Sequence, residues 1–173
     1  FDFQAEPGSD FVSLWIPFAT TPWGRDPRLL ARRPGFGGEV MEDAFGNLWG
    51  RLDARSKGEV LLGALEPGWE QADDWHPPAL PGETGAFLAG RIAGAPGRYR
   101  LASLPGFPFS ILRTLRGMEG LLADTILETD QVRHLGDRVC AFLLDCIDTF
   151  HGAGAHGILV SEDWGTQHSL LVD

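Results

Sequence analysis

Two carboxylates, an indole, a hydroxyl and a primary amide fall within six residues, Glu162-Asp163-Trp164-Gly165-Thr166-Gln167. The short apolar run Gly157-Ile158-Leu159-Val160 precedes them, so this polar stretch is expected where a buried strand ends. An acid at such a place can act as general base, hold a substrate hydroxyl or amine, or anchor a metal. Asp163 and Glu162 are the candidate catalytic residues, and Gln167, Thr166 and Trp164 are candidates for substrate contact. The competing reading is structural: Asp163 or Thr166 caps a following helix and Trp164 packs beneath it.

A second constellation lies in Phe107-Pro108-Phe109-Ser110-Ile111-Leu112-Arg113-Thr114-Leu115-Arg116. Arg113 and Arg116 are three apart, so on a helix they share a face and could hold a carboxylate or phosphate jointly. Phe109 would border that site, and Ser110 is suited to cap the helix. The alternative is a solvated face, or an ion pair with Glu119 or Asp124. The five histidines, His76, His134, His151, His156 and His168, show no recognised zinc spacing, so no metal site is expected within the chain. Cys140 and Cys146 lie six apart in a helical stretch, on different faces, where they cannot bridge. A reducing, cytoplasmic setting follows from two unpaired thiols. GxxxxGK[ST] and GxSxG do not occur. Six tryptophans leave open a sugar-stacking surface, against the commoner role of core and rim packing.

The elements that must position these residues divide into two textures. Residues 1–82 are rich in Gly, Pro and Trp. Within them, 11–16 reads as a strand stopped by Pro17, and 17–38, with four prolines, as an irregular loop. Residues 39–45 and 48–52 read as a hairpin closed by the two-residue turn Gly46-Asn47, followed by a short strand at 59–63. Residues 83–173 alternate helix and strand. A helix is expected over 83–95, a strand over 99–104, helices over 109–115 and 118–127, and a long helix over 130–152 capped by Thr129. Its stripe is Val132, Leu135, Val139, Phe142, Leu143, Cys146, Ile147 and Phe150. Strands at 99–104 and 157–160 with helices between them indicate a parallel sheet, whose ligand sites lie at the strand C-terminal ends. His151 and His156 fall at the opposite end.

The charge balance narrows the partners. Asp plus Glu number 24 and Lys plus Arg 14, for a net charge of −10. Such a chain repels phosphate backbones and anionic lipid, so neither nucleic acid nor a membrane is an expected partner. No apolar run reaches the ~20 residues of a membrane span. The start, Phe1-Asp2-Phe3-Gln4, reads as the middle of a longer chain.

Three segments together resemble the uroporphyrinogen decarboxylase-like superfamily. They are the Glu162–Gln167 stretch behind its Ala-Gly-Ala-x-Gly-Ile-Leu strand, the run Leu115-Arg116-Gly117-Met118-Glu119-Gly120-Leu121-Leu122-Ala123-Asp124, and the hairpin Glu42-Asp43-Ala44-Phe45-Gly46-Asn47-Leu48-Trp49-Gly50. The resemblance spans roughly residues 39–173. It implies an α/β fold, a partial (β/α)8 barrel, in which 1–82 form a hairpin-containing N-terminal excursion and 83–173 the βα units. It also implies an enzyme segment with chain missing at both ends.

Two chemistries occur in that family: cofactor-free decarboxylation of a tetrapyrrole, and methyl transfer between a corrinoid and a thiol through a zinc held by a His-x-Cys motif and a later Cys. This chain has Thr114 near a Tyr of the decarboxylases and Glu162-Asp163 in place of their Ser-His pair, which favours the methyl-transfer branch. The resemblance then implies a small-molecule substrate, a corrinoid protein as partner, and zinc and corrinoid in the full-length protein with ligands outside this chain. It leaves a homodimer open. Tetrapyrrole decarboxylation is the alternative within the family, and a non-catalytic carbohydrate-binding module is the alternative outside it.

Overall fold

A computed structural model describes residues 9–162, 165, 168 and 169. The described chain forms two small sheets and five α-helices. Strand β1 (Phe11–Leu14) lies parallel to β5 (Tyr99–Ser103), and β5 lies parallel to β6 (Gly157–Leu159), in the order β1-β5-β6. Phe11 faces Tyr99 across the first pair, and Leu101 faces Gly157 across the second. Strands β2 (Glu39–Glu42), β3 (Leu48–Arg51) and β4 (Glu59–Leu62) form a separate antiparallel meander.

This arrangement overturns the partial (β/α)8 barrel. Between β1 and β5 the chain builds the meander and helix α2 (Thr84–Ala93), and adds no parallel strand to the first sheet. Between β5 and β6 it makes three helices in succession, α3 (Pro108–Arg116), α4 (Met118–Leu127) and α5 (Thr129–Gly152). A barrel needs a strand after each helix so that the sheet can curl and close. Three parallel strands flanked by a helical layer do not close. The division at residue 82 also crosses the parallel sheet, because β1 comes from the first texture and β5 and β6 from the second.

The core lies between the parallel sheet and the helices. Val12 and Leu14 of β1, Ala102 of β5, Leu88 of α2, Leu112 and Leu115 of α3 and Leu121 of α4 are buried there. Helix α5 supplies Leu135, Val139, Phe142, Leu143, Cys146 and Phe150 from the expected stripe, while Val132 and Ile147 at its margins are only partly buried. Its start differs from expectation. Glu128 occupies the N-cap position, while Thr129 is already helical and donates its hydroxyl to Thr125 O at 3.0 Å, extending the preceding turn.

The 17–38 segment is not wholly irregular. Asp26 caps a one-turn helix α1 (Pro27–Leu30) by accepting from Arg28 N at 2.8 Å, and Pro27 stands in the first turn, where its missing N–H costs nothing. Arg28 in turn holds the Asp26 carboxyl below its ordinary value.

The hairpin turn is longer than two residues because a carboxylate organises it. Asp43 accepts from Phe45 N and Asn47 N at 2.9 Å, from the Asn47 side-chain amide at 3.0 Å and from the Trp49 indole at 2.7 Å. Gly46, at φ 85°, closes the turn with its N–H on Asp43 O. Buried Asn47 then accepts from Ala64 N at 3.0 Å, which ties the hairpin to the segment after β4. That segment docks on the C-terminal end of α3, where Leu65 N donates to Leu115 O at 2.9 Å. Gly63 permits the approach, since a Cβ there would meet Leu115 O at 2.3 Å. The hairpin tip meets α5 through Phe45, whose ring stands edge-on to Phe142 at 5.7 Å.

Candidate functional site

The C-terminal ends of β1, β5 and β6 form one edge of the parallel sheet, the edge at which α/β proteins bind ligands. After β5 the chain turns through Leu104-Pro105-Gly106-Phe107 into α3. Phe107, not Ser110, is the N-cap. Ser110 lies in the first turn, where its hydroxyl accepts from Phe107 N at 2.9 Å and donates to Phe107 O at 3.0 Å, fixing the entry to the helix.

Glu162 reaches this helix from the end of β6. Its carboxylate accepts from Ser110 N at 3.2 Å, so an acid from one strand end sits on the N-terminal turn of the helix that follows the neighbouring strand. Asp163, Trp164, Thr166 and Gln167, the other residues expected here, lie outside the described residues.

At the end of β1, Trp15 carries a residue that the sequence reading missed. Arg91 of α2 places its guanidinium carbon 3.6 Å from the Trp15 ring centroid and donates Nε to Ser13 O at 2.7 Å. The Phe87 ring stands edge-on to Trp15 at 5.3 Å. The signal was present: Arg91 is the lone charged residue of α2, one turn after Phe87. The edge thus carries a guanidinium at one strand end and a carboxylate two strands away. Such an arrangement can orient a polar substrate at both poles.

The α3 residues do not join this edge as expected. Phe109 is buried in the core at 8% exposure. Arg116 also turns inward. It donates Nε to Asp124 at 2.8 Å, donates Nη1 to Leu65 O and lies over the Trp69 ring at 4.3 Å. Arg113 is partly exposed and shares none of these partners. The joint anion grip of Arg113 and Arg116 is therefore replaced by a buried ion pair, the alternative that the sequence also allowed.

Among the described residues, no three His, Cys, Asp or Glu side chains come close enough to hold a metal ion. Cys140 is exposed and Cys146 buried, and both are free thiols. Burial, with the Asp145 charge adding to it, pushes the Cys146 thiol up to about 12. No helix among the described residues is long and apolar enough to cross a membrane.

The five described tryptophans are all in use. Trp15, Trp23 and Trp69 carry Arg91, Arg51 and Arg116 on their faces. Trp49 and Trp75 donate their indole N–H to Asp43 and to Phe45 O. Compared with known proteins, the chain matches no family model, and neither the curated proteins nor the solved structures give a significant match.

Proposed function

We propose that the chain supplies the substrate-binding edge of an enzyme related to the uroporphyrinogen decarboxylase-like superfamily, acting in methyl transfer on a corrinoid or related substrate. The observation that carries this reading is the place of Glu162, on the first turn of α3 where β5 and β6 end. A carboxylate held there accepts hydrogen bonds from a substrate amide or hydroxyl, and the amide-rich rim of a corrinoid offers many such donors. Arg91, stacked on Trp15, supplies the opposite pole. The motif order from the hairpin to Glu162 supports the family, and two thiols that cannot pair support a cytoplasmic setting. No step is assigned to zinc.

Tetrapyrrole decarboxylation draws less support, because Arg116, one of the two arginines expected to grip a carboxylate jointly, is paired with Asp124. A sugar platform draws none from the described tryptophans, whose faces or N–H groups are engaged.

The test is a titration of the chain with methylcobalamin, read by tryptophan quenching, alongside Glu162→Gln. Saturable binding that weakens about tenfold in the variant is expected, the value of one charge-assisted hydrogen bond. No binding, or equal affinity in both proteins, would sink the reading. Binding of uroporphyrin in preference to cobalamin would shift it to decarboxylation.

A further inference from the structure

The opposite edge of the parallel sheet, where β5 and β6 begin, carries a separate group of basic and aromatic residues. We infer that this edge binds a phosphate monoester with a flat body, through Arg98, Arg100 and His156.

A shallow cavity of about 610 Å³ opens there, lined in part by Asp10, Arg98, Tyr99 and His156. Nη1 of Arg98 is buried with no hydrogen-bond partner among the described residues. A buried donor on a cation without an acceptor is costly, and a bound oxyanion supplies what is missing.

The contact between Arg100 and His156 makes the same demand. The Arg100 backbone N–H meets His156 Nδ1 at 3.1 Å. Nε and Nη2 of Arg100 meet His156 Nε2 at 3.1 and 2.6 Å. All three arginine nitrogens are donors, whereas a neutral imidazole offers one acceptor nitrogen and one N–H. With Nδ1 accepting from the backbone, the ring's Nε2–H faces the guanidinium donors. The other tautomer sets Nδ1–H against the backbone N–H instead. The groups stand too close to admit an oxygen as they are, so an oxyanion binds by parting the imidazole from the guanidinium, and it then turns the first conflict into two charge-assisted hydrogen bonds.

The loop before β6 is fitted to these side chains. A Cβ at Gly157 would lie 2.8 Å from the Tyr99 hydroxyl oxygen, and one at Gly154 3.2 Å from Arg100 Nη1. The Tyr99 hydroxyl donates to His156 O at 2.9 Å and pins the loop.

The ligand class follows from the surroundings. Phe11 and Tyr99 are 50% and 44% exposed and meet edge-on at 5.8 Å, while the Tyr99 and His156 rings lie 5.1 Å apart. This row suits a flat ligand body beside the anion. Asp10 on the rim, and the net charge of −10, oppose a polyanion. A compact ligand with one phosphate meets both conditions.

The experiment is calorimetric titration of the chain with phenyl phosphate, inorganic phosphate and benzoate, with the His156 ring nitrogens followed by NMR. Phenyl phosphate should bind most tightly, with a Kd near or below about 1 mM, and should shift the His156 signals. Arg100→Met and His156→Phe should each weaken it about tenfold, and Asp10→Asn should tighten it about threefold. Thermal melts establish that the variants fold. If Arg100→Met does not fold, Arg98→Met and Asp10→Asn carry the test. No binding of either phosphate at about 10 mM, equal affinity for benzoate, or affinity indifferent to all of these substitutions would overturn the proposal.

Discussion

Arg116 donates Nε to an Asp124 oxygen at 2.8 Å, with the two side chains only 8% and 11% exposed. The pair joins the end of α3 to the middle of α4, and its second bond, to Leu65 O, holds the segment that follows the meander. Arg116 therefore ties two consecutive helices to a segment 51 residues earlier in the chain.

Removing one partner leaves the other charge buried, which costs about 3–5 kcal/mol. Arg116→Met and Asp124→Leu should each lower the urea midpoint strongly. The double variant should recover much of the loss, because the desolvation of two charges disappears with the pair. A double variant as unstable as the sum of the two would show that the partners are not coupled and would overturn this reading of the pair.

The Asp43 carboxylate accepts four hydrogen bonds within one turn. Asp43→Ala should cost roughly 3 kcal/mol, since hydrogen bonds to a charged acceptor are the stronger class and the partly buried donors lose their acceptor. The Trp49 indole loses its partner in the same variant, so its emission should shift to longer wavelength. Unchanged emission would mean that Trp49 keeps a partner without Asp43.

The two thiols should differ sharply. A thiol reagent at pH 8 should label Cys140 rapidly and Cys146 only after unfolding. Cys146 is held protonated to about 12 in the folded chain, against 9.0 in the unfolded one. The folded state therefore keeps a proton that the unfolded state releases. The stability that this confers is complete below pH 9 and is lost as pH rises towards 12. A Cys146→Ala variant should lack that part of the alkaline fall, read as Tm against pH, whatever cavity cost it carries.

Gly63→Ala should be among the costliest exchanges of one small residue for another. The added methyl meets the Leu115 and Thr114 carbonyl oxygens at 2.3 and 2.5 Å, and these are backbone atoms with little freedom to yield. A loss above about 2 kcal/mol is expected in chemical denaturation. A neutral result would mean that the segment after β4 can lift from α3 without loss.

The sequence by itself determined the local elements. The stripe from Leu135 to Phe150 is a helical period that no tertiary arrangement could use as a strand. Gly157-Ile158-Leu159 and Tyr99–Ser103 form neighbouring parallel strands, as their shared helix-strand pattern required. Only the tertiary structure decided what those elements enclose. Periodicity reports which face of an element is buried, not how many strands complete its sheet, so three strands and a separate meander carry the same local signal as part of a barrel. Charge followed the same rule. Spacing put Arg113 and Arg116 on one side of a helix, but burial against Asp124 and Trp69 decided that Arg116 packs inward. Arg91 and Trp15 come together from 76 residues apart, a distance over which local sequence exerts no pull.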